Sequence, residues 1–133
     1  MERPEIVELF YSALIDPNQV ELVFQFLSPR VEWILAAAEP HTLGEESPSN
    51  AIKFSGKEGL RQLAHYFRDS LNLISGDLTG CITHHHLVFS FGRVRLRTRK
   101  AGQVAETNIA AKITFQDSKI IKGQIRISWP LVL

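Results

Sequence analysis

The segment from Thr107 to Ser128 alternates apolar and polar residues on both sides of a short polar break, and this alternation restricts the fold more than any other feature. Successive side chains of a β-strand point to opposite faces, so Ile109, Ala111 and Ile113 share one face of the first half. The second half is similarly rich in isoleucine. The pattern predicts a β-hairpin with one apolar face, which other elements of the chain must cover.

The length of the turn sets the register of this hairpin. A two-residue turn at Asp117 and Ser118 would place Phe115 opposite Ile120 and would bring three polar side chains to the apolar face: Lys122, Gln124 and Arg126. A turn spanning Gln116 to Ser118 instead pairs Ile121 with Ile113, Gly123 with Ala111, Ile125 with Ile109 and Ile127 with Thr107. We therefore predict the three-residue turn, because a one-residue slip would move a whole strand to the wrong face.

The preceding segment extends the same sheet. We predict strands from Leu78 to about Phe91 and from Arg93 to Arg99, followed by a two-residue turn at Ala101 and Gly102. That turn pairs Leu96 with Thr107 and Val94 with Ile109 on the apolar face, and Arg97 with Glu106 and Arg95 with Asn108 on the polar face. The result is an antiparallel sheet with one apolar surface.

Three helices precede the sheet and can cover it. Apolar residues recur at helical spacing from Pro4 to Leu14, and a second helix fits Val20 to Leu27. The third helix follows Ser55, which stands three residues before Glu58 as in a capping box, and its apolar face carries Leu60, Leu63, Ala64 and Phe67. Between them we predict a strand of about five residues in "RVEWIL" and a long loop to Ser55.

Composition places the chain among ordinary globular proteins. Its 133 residues, 44% of them hydrophobic, suit one domain spanning 1–133, and the net charge of +1 creates no general attraction for nucleic acid or an acidic membrane. Cys81 is the only cysteine, so no internal disulfide can form. The start "MERPEIVELF" lacks the features of a signal peptide, and no apolar run is long enough to span a membrane, so we expect a soluble, cytoplasmic protein.

The order of these elements resembles the nuclear transport factor 2-like superfamily, in particular its SnoaL-like and ketosteroid-isomerase-like branch. The resemblance runs from the two first helices through "VEW" and "SGKEGLRQLAHYF" to the closing "ITFQDSKIIKGQIRIS" and covers nearly the whole chain. It implies a cone-shaped, cystatin-like α+β fold, with three N-terminal helices packed on a strongly curved, mainly antiparallel sheet. It also implies a pocket inside the cone and commonly a homodimer through the opposite face of the sheet.

The resemblance argues against steroid isomerisation. The tyrosine that ketosteroid isomerases carry on the first helix matches Tyr11, but their proton-shuttling acid falls on Trp33 and their hydrogen-bonding acid on Ala111. Neither replacement can transfer a proton at neutral pH. We therefore expect no ketosteroid isomerase activity.

Binding of a small hydrophobic molecule in the apolar cone, without a cofactor, is the function that these residues favour. The candidate ligand-binding residues are Tyr11, Trp33, Leu63, Phe67, Leu96, Ile109, Ala111, Ile113, Ile125 and Ile127. Two alternatives stay open. In the first, Tyr11 forms an acid-base pair with His65 or His41 in an isomerase, cyclase or lyase. In the second, side chains fill the cone and the chain is a structural dimerisation module.

The other polar residues do not indicate a metal site or a nucleic-acid-binding surface. Alternation sends at most two of the side chains from His84 to His86 to one face, and no nearby acid or cysteine completes a metal site, so we predict none. The basic strip from Arg93 to Lys100 lacks interleaved aromatic residues, so we expect no nucleic-acid binding. We expect the strip to serve a homodimer interface instead, the loop Glu39 to Asn50 to lie over the cone mouth, and the apolar tail Trp129 to Leu133 to cover the cone or the partner.

Overall fold

The computed structural model describes residues 2–38, 51–97 and 102–128. The predicted loop from Glu39 to Asn50, which includes His41, lies outside the described residues. Ala101 of the predicted turn and the tail from Trp129 to Leu133 also lie outside the described residues. No helix within the described ranges is both long enough and apolar enough to span a membrane.

Three α-helices form one layer of the fold in the described residues. Helix α1 spans Arg3–Ile15, a 3₁₀ turn follows at Pro17–Gln19, α2 spans Val20–Phe24 and α3 spans Gly56–Asp69. Glu2 and Glu5 cap α1 reciprocally through side-chain bonds to backbone N–H groups. The predicted capping box of α3 is not formed, because the Ser55 side chain makes no capping hydrogen bond.

The other layer of the described part of the chain consists of six strands. They are β1 (Leu27–Ala38), β2 (Ala51–Ser55), β3 (Leu73–His84), β4 (Leu87–Arg97), β5 (Val104–Gln116) and β6 (Lys119–Ser128). The sheet order is β2-β1-β6-β5-β4-β3. Strand β1 runs parallel to β6, and the other neighbouring pairs are antiparallel. The predicted α+β class and the curved, mainly antiparallel sheet are confirmed.

Several predicted boundaries were wrong. The second helix ends at Phe24 rather than Leu27, and the strand around "VEW" is 12 residues long because it pairs with neighbours on both sides. The end of the predicted loop forms β2. The break in the long β-segment falls at His85 and His86, where His85 adopts a positive φ of 55°, and not between Phe91 and Arg93.

The hairpin of β5 and β6 keeps the predicted faces but not the predicted pairs. Its turn has two residues, with Gln116 opposite Lys119 and Phe115 opposite Ile120. A β-bulge then shifts the register, so that Thr114 lies opposite Lys122 and Ile121 is the extra residue. The bulge thus returns the polar residues of β6 to the outer face. A prediction from regular registers alone does not allow for this shift. Ile125 is buried and Arg126 exposed, as predicted.

The hairpin of β4 and β5 is also displaced by two residues from the predicted pairing. Val94 lies opposite Thr107 and Leu96 opposite Ala105, while Arg95 lies opposite Glu106. A shift of two residues leaves every side chain on its predicted face, because the side-chain period of a strand is two. Faces are therefore encoded by alternation, whereas exact partners depend on the turn.

The helices pack on the concave face of the sheet and form one apolar core. Trp33 of β1 is fully buried and stacks on Phe10 of α1 with ring centroids 5.3 Å apart. Gly123 of β6 leaves room for the indole because it has no side chain. A Cβ at residue 123 would lie 2.5 Å from the Trp33 ring. This core fills the apolar interior between α1, α3 and the sheet.

Candidate functional site

A narrow apolar cleft opens between α1, α3 and strands β3 to β5. Its lining residues are Tyr11, Leu14, Ile15, Phe67, Leu73, Gly76, Asp77, Arg93, Val94 and Ile109. The space between them is about 10 Å³, which is room for about one water molecule. Side chains of the described residues therefore nearly fill the space between the helices and the sheet at this point.

Tyr11 places a hydroxyl group inside this apolar interior. Its side chain is 7% exposed, and its hydroxyl lies 2.7 Å from the Oγ of Ser90, where either oxygen can donate. The Ser90 hydroxyl also lies 3.5 Å from the carbonyl oxygen of Ala111. The two hydroxyls form a polar pair beside a cleft that is otherwise lined mainly by hydrocarbon.

The positions of both hydroxyls follow from the periodicity of their elements. Tyr11 lies four residues after Val7 on the buried face of α1, and both are buried with Leu14. On β4 the inward row is Val88, Ser90, Gly92, Val94 and Leu96. Ser90 is the one polar side chain of that row, and it lies fully buried.

Burial controls the ionisation of Tyr11. Desolvation raises the pKa of Tyr11 to about 12, although the hydrogen bond from Ser90 opposes this rise. Burial likewise raises the pKa of the nearby Cys81 thiol, with a smaller contribution from Glu8. At neutral pH the Tyr11 phenol therefore keeps its proton and is a hydrogen-bond donor rather than a base.

The mouth of the cleft lies where the end of α1 meets β3. Ile15, the last residue of α1, is partly exposed there. Gly76 of β3 faces the same space, since a Cβ on it would lie 3.1 Å from Val94 and 3.4 Å from Ile15. A side chain at Gly76 would therefore narrow the mouth, and β3 is also irregular between Leu73 and Ser75.

Three of the ten predicted ligand-binding residues line the cleft: Tyr11, Phe67 and Ile109. The other seven are buried elsewhere in the core: Trp33, Leu63, Leu96, Ala111, Ile113, Ile125 and Ile127. Trp33 also donates its indole N–H to the carbonyl of Gly56 at 3.3 Å. The sequence thus identified the apolar interior, while the structure assigns only part of it to the cleft.

The structure does not bring Tyr11 and His65 together. His65 lies on the outer side of α3, where its side chain is 51% exposed and its Nδ1 is 3.9 Å from a carboxylate oxygen of Asp69. The Tyr11 hydroxyl is instead buried against Ser90. An acid-base pair made of these two residues is absent from this arrangement, and the other candidate, His41, lies outside the described residues.

The histidines of "THHH" occupy the exposed turn between β3 and β4. The rings of His84 and His85 make an edge contact at 4.2 Å, and all three histidines are exposed. Within the part of the chain that the structure describes, no three His, Cys, Asp or Glu residues are grouped in a way that could hold a metal ion. The Arg3 guanidinium donates a hydrogen bond to the carbonyl of His85 in this turn.

The outer face of the sheet carries an apolar patch formed by Ile82, Phe89 and Phe91. Phe91 is 46% exposed and Ile82 is 58% exposed, and Phe89 lies opposite Ile82 in the register. Further along the same face, Arg95 approaches Glu106 at 3.9 Å. Arg97, which the sequence paired with Glu106, instead donates to the carbonyl of Gly102.

Sequence reasoning missed Ser90, Gly76 and Phe91. The signal for Ser90 was the alternation of "LVFSFGRV", which places it between Val88 and Gly92 on the inner face. A boundary assigned between Phe91 and Arg93 concealed that alternation. Gly76 gave no separate signal, because a glycine before a strand suggests a turn. Phe91 gave none either, because the sequence predicts a polar outer face.

Solved structures with the same fold are known. A protein with a ketosteroid isomerase-like fold from Catenulispora acidiphila, in complex with trimethylamine, superposes with a TM-score of 0.69 at 14% identity over 96% of this chain and 88% of that one. A nuclear transport factor 2-like protein from Burkholderia thailandensis gives 0.68 at 17% identity over 96% and 92%. A Jannaschia protein named as a candidate SnoaL-like polyketide cyclase gives 0.70 at 10% identity over 92% and 83%.

These likenesses confirm the predicted resemblance at the level of fold. No family model matches the sequence, and no curated protein matches it either. Because one fold of this kind hosts many activities, function has to be argued from the site of this chain.

Proposed function

We propose that this chain, which has the nuclear transport factor 2-like fold, binds a small hydrophobic molecule in the cleft beside Tyr11. One observation carries the proposal: an apolar cleft coincides with a buried hydroxyl pair, Tyr11 and Ser90, at 2.7 Å. Small-molecule sites commonly combine apolar walls, which supply affinity, with a few polar groups that fix orientation. The cleft has both.

Binding requires the cleft to widen. Its present space of about 10 Å³ is much smaller than a ligand of six or seven heavy atoms. Ile15 lies at the mouth, at the end of α1 and partly exposed, so its side chain can change rotamer without disrupting the core. The similar fold from Catenulispora acidiphila in complex with trimethylamine supports a compact ligand for this chain.

The proposal excludes ketosteroid isomerisation. Trp33 and Ala111 stand at the positions of the two acids and are both buried without an ionisable group. Neither the phenol of Tyr11 nor the hydroxyl of Ser90 can shuttle a proton between carbon atoms at neutral pH. Purified protein should therefore leave the double bond of a steroid enone in place, and detectable isomerisation would refute this part of the proposal.

The two alternatives have weaker support. The enzyme that pairs Tyr11 with a histidine needs an imidazole beside the Tyr11 hydroxyl, and His65 is exposed on the far side of α3. The structural module with a filled cone agrees with the small volume of the cleft. It assigns no further role to the hydroxyl pair beside that cleft, whose mutual hydrogen bond at 2.7 Å offsets the cost of burying the two groups.

A pair of glycine variants on β3 tests the binding proposal. Gly76→Val should fill the mouth of the cleft, because Val94 and Ile15 lie within 3.4 Å of the new Cβ. Gly80→Val is the matched control, since no atom lies within 4 Å of a Cβ at that position. Methylenecyclohexane, an uncharged hydrocarbon, is titrated into each methyl-labelled protein and followed by NMR.

The expected result is that methylenecyclohexane shifts the methyl signals of Leu14, Val94 and Ile109 in the unchanged protein and in Gly80→Val, but not in Gly76→Val. The folded state of each variant is checked by its circular dichroism spectrum. Absence of any shift in the unchanged protein, or equal binding by both variants, would contradict a ligand site in this cleft.

We also propose a homodimer through the outer face of the sheet. The apolar patch of Ile82, Phe89 and Phe91 supplies surface that is costly to leave in water, and the nearby Arg95 and Glu106 supply both signs of charge. A twofold interface must be self-complementary, which a face with both signs of charge allows. A second copy of this chain is therefore the occupant that we propose for the patch.

A further inference from the structure

Strand β3 contributes less to the core than the other long strands. None of its 12 residues, Leu73–His84, is buried, whereas β1, β4, β5 and β6 each have at least four buried residues. Leu73 and Leu78 are only partly buried against the core. Because burial of apolar side chains is the main interaction that holds a strand in place, local separation of β3 should cost less free energy than separation of the other long strands.

The pairing of β3 is also weaker than that of a central strand. The strand lies at one end of the described sheet, where its only neighbouring strand is β4. Register shifts between Leu73 and Ser75 and between Leu78 and Gly80 interrupt the pairing with β4. Irregularities of this kind disrupt the ladder locally, so the segment Leu73–Leu78 can separate from β4 without disturbing the rest of β3.

Both ends of this segment suit a hinge. Asn72, at the junction with α3, has a φ of 53°, a left-handed conformation that asparagine adopts more readily than most residues. Its carbonyl accepts a hydrogen bond from the N–H of Arg97 at 3.1 Å, which fixes this end. Gly80, at the other end, has the wide backbone freedom of glycine, and no atom lies within 4 Å of a Cβ at its position.

The same segment forms one wall of the cleft. Leu73 and Gly76 both line the space, with Ile15 of α1 on the opposite side of the mouth. The side chain of Ile15 can change rotamer, but Gly76 has no side chain that could move aside. On the β3 side the backbone itself is therefore the wall, and a ligand passes there only if the backbone moves.

We propose that the segment Leu73–Leu78 is a gate, which separates locally from β4 to admit a ligand to the cleft and then pairs with β4 again. This inference rests on the proposed function, because it concerns access to the same cleft. It adds the element that moves and the route by which the ligand enters. It also explains how a nearly filled interior exchanges a ligand without unfolding of the central strands.

Native-state hydrogen exchange of the unliganded protein tests the opening itself. The N–H of Arg97 faces β3, since it bonds to Asn72, and the direction of N–H groups alternates along a strand. The N–H of Arg93 therefore also faces β3, whereas that of Val94 faces β5. Opening of the gate exposes only the first of these, so the protection factor of Arg93 should be at least about tenfold lower than that of Val94. Equal protection factors would overturn the gate.

Gly80→Val tests whether the opening controls ligand entry. Gly80 does not have a positive φ, so valine fits the folded backbone, and its restricted backbone disfavours the open state by a factor of about two to five. The association and dissociation rates of methylenecyclohexane, measured by NMR relaxation dispersion at partial saturation, should both fall by this factor while the affinity stays unchanged. Thr114→Val, on the outer face of β5, is the control and should leave both rates unchanged.

The outcomes separate this inference from the proposed function. Absence of methylenecyclohexane binding by the unchanged protein overturns the proposed function and the gate with it. Binding with the same rates in Gly80→Val and in the unchanged protein overturns the gate alone. Slower association with an unchanged dissociation rate also overturns it, because β3 would then not close behind the ligand. The comparison of Arg93 with Val94 stays decisive if Gly80→Val does not fold.

Discussion

Tyr11 has two roles that its single side chain combines. Its ring fills space between α1 and the sheet, with a centroid 5.6 Å from the ring of Phe10, and its hydroxyl bonds to Ser90. The hydrogen bond offsets part of the cost of placing a polar atom in the interior. Because the Tyr11 side chain is desolvated, the folded protein favours the neutral phenol strongly over the charged phenolate.

Tyr11 should make the protein less stable at high pH. Its pKa is about 12 in the folded state against 10 in the unfolded chain, so the stabilising contribution is complete below pH 10 and is lost as the pH rises to 12. The loss is about 2 to 3 kcal/mol. Urea denaturation between pH 9 and 12 measures the free energy of unfolding across this window.

Tyr66→Phe provides the control for this pH dependence. The chain has two tyrosines, and Tyr66 is partly exposed on α3. Tyr11→Phe should flatten the decrease in stability above pH 10, whereas Tyr66→Phe should leave it unchanged. If both variants lose stability with the same slope as the unchanged protein, ionisation of Tyr11 is not coupled to unfolding.

Single residues of the site were only partly predictable. Helical spacing was sufficient to place Tyr11 on the buried face of α1, because the period of 3.6 holds over the whole helix. Ser90 could not be placed without knowing where β4 begins. That boundary depends on the turn at His85 and His86, where His85 has a positive φ, a conformation that is uncommon for residues other than glycine.

At the scale of elements, Arg3 connects the first helix to two turns of the sheet. Its guanidinium donates to the carbonyl of His85 at 2.7 Å and to the carbonyl of Asp117 at 3.0 Å. It also lies over the ring of Phe115, 5.2 Å from the centroid. Both His85 and Asp117 have positive φ, so Arg3 holds the two tightest points of neighbouring hairpins.

Arg3→Ala should destabilise the fold by about 1 to 2 kcal/mol, because two charged hydrogen bonds and a cation–π contact are lost. Urea denaturation at neutral pH measures this change. Arg30→Ala, at an exposed position on β1, is the control and should change stability by less than about 0.5 kcal/mol. Equal effects of both substitutions would mean that Arg3 does not connect these elements.

The faces of the strands were predicted more reliably than the residue pairs between neighbouring strands. Alternation gave the faces of β5 and β6 correctly, but the pairs were displaced because a bulge at Ile121 absorbs one residue. A bulge has no strong sequence signal, since it only inserts one extra residue into an otherwise regular strand. Strand β2 was missed for a related reason, because five residues after a long polar segment show no clear alternation.

At the scale of the molecule, the two faces of the sheet have different surroundings. The concave face packs against the helices and contains the cleft, while the outer face carries charged residues and the patch of Ile82, Phe89 and Phe91. The order of helices and strands was sufficient to predict this architecture from the sequence. The patch was not predictable, since it depends on Ile82 of β3 lying opposite Phe89 of β4.

Phe91→Lys should weaken the proposed homodimer, because it places a charge in the apolar patch. Light scattering at tens of micromolar should show a dimer for the unchanged protein and a monomer of about 15.0 kDa for the variant. Leu22→Lys is the matched control, since Leu22 is 55% exposed on α2, away from the sheet. A monomer for the unchanged protein, or dissociation by Leu22→Lys alone, would contradict an interface on the outer face.

The central claim is that the cleft beside Tyr11 receives a small hydrophobic molecule, and intermolecular nuclear Overhauser effects test it most directly. The protein is saturated with methylenecyclohexane and contacts between ligand protons and protein protons are recorded. The account predicts contacts to the ring of Tyr11 and to the methyl groups of Leu14, Val94 and Ile109, which line the cleft. Contacts confined to the outer patch of Ile82 and Phe91, or to exposed side chains such as Leu22, would contradict it.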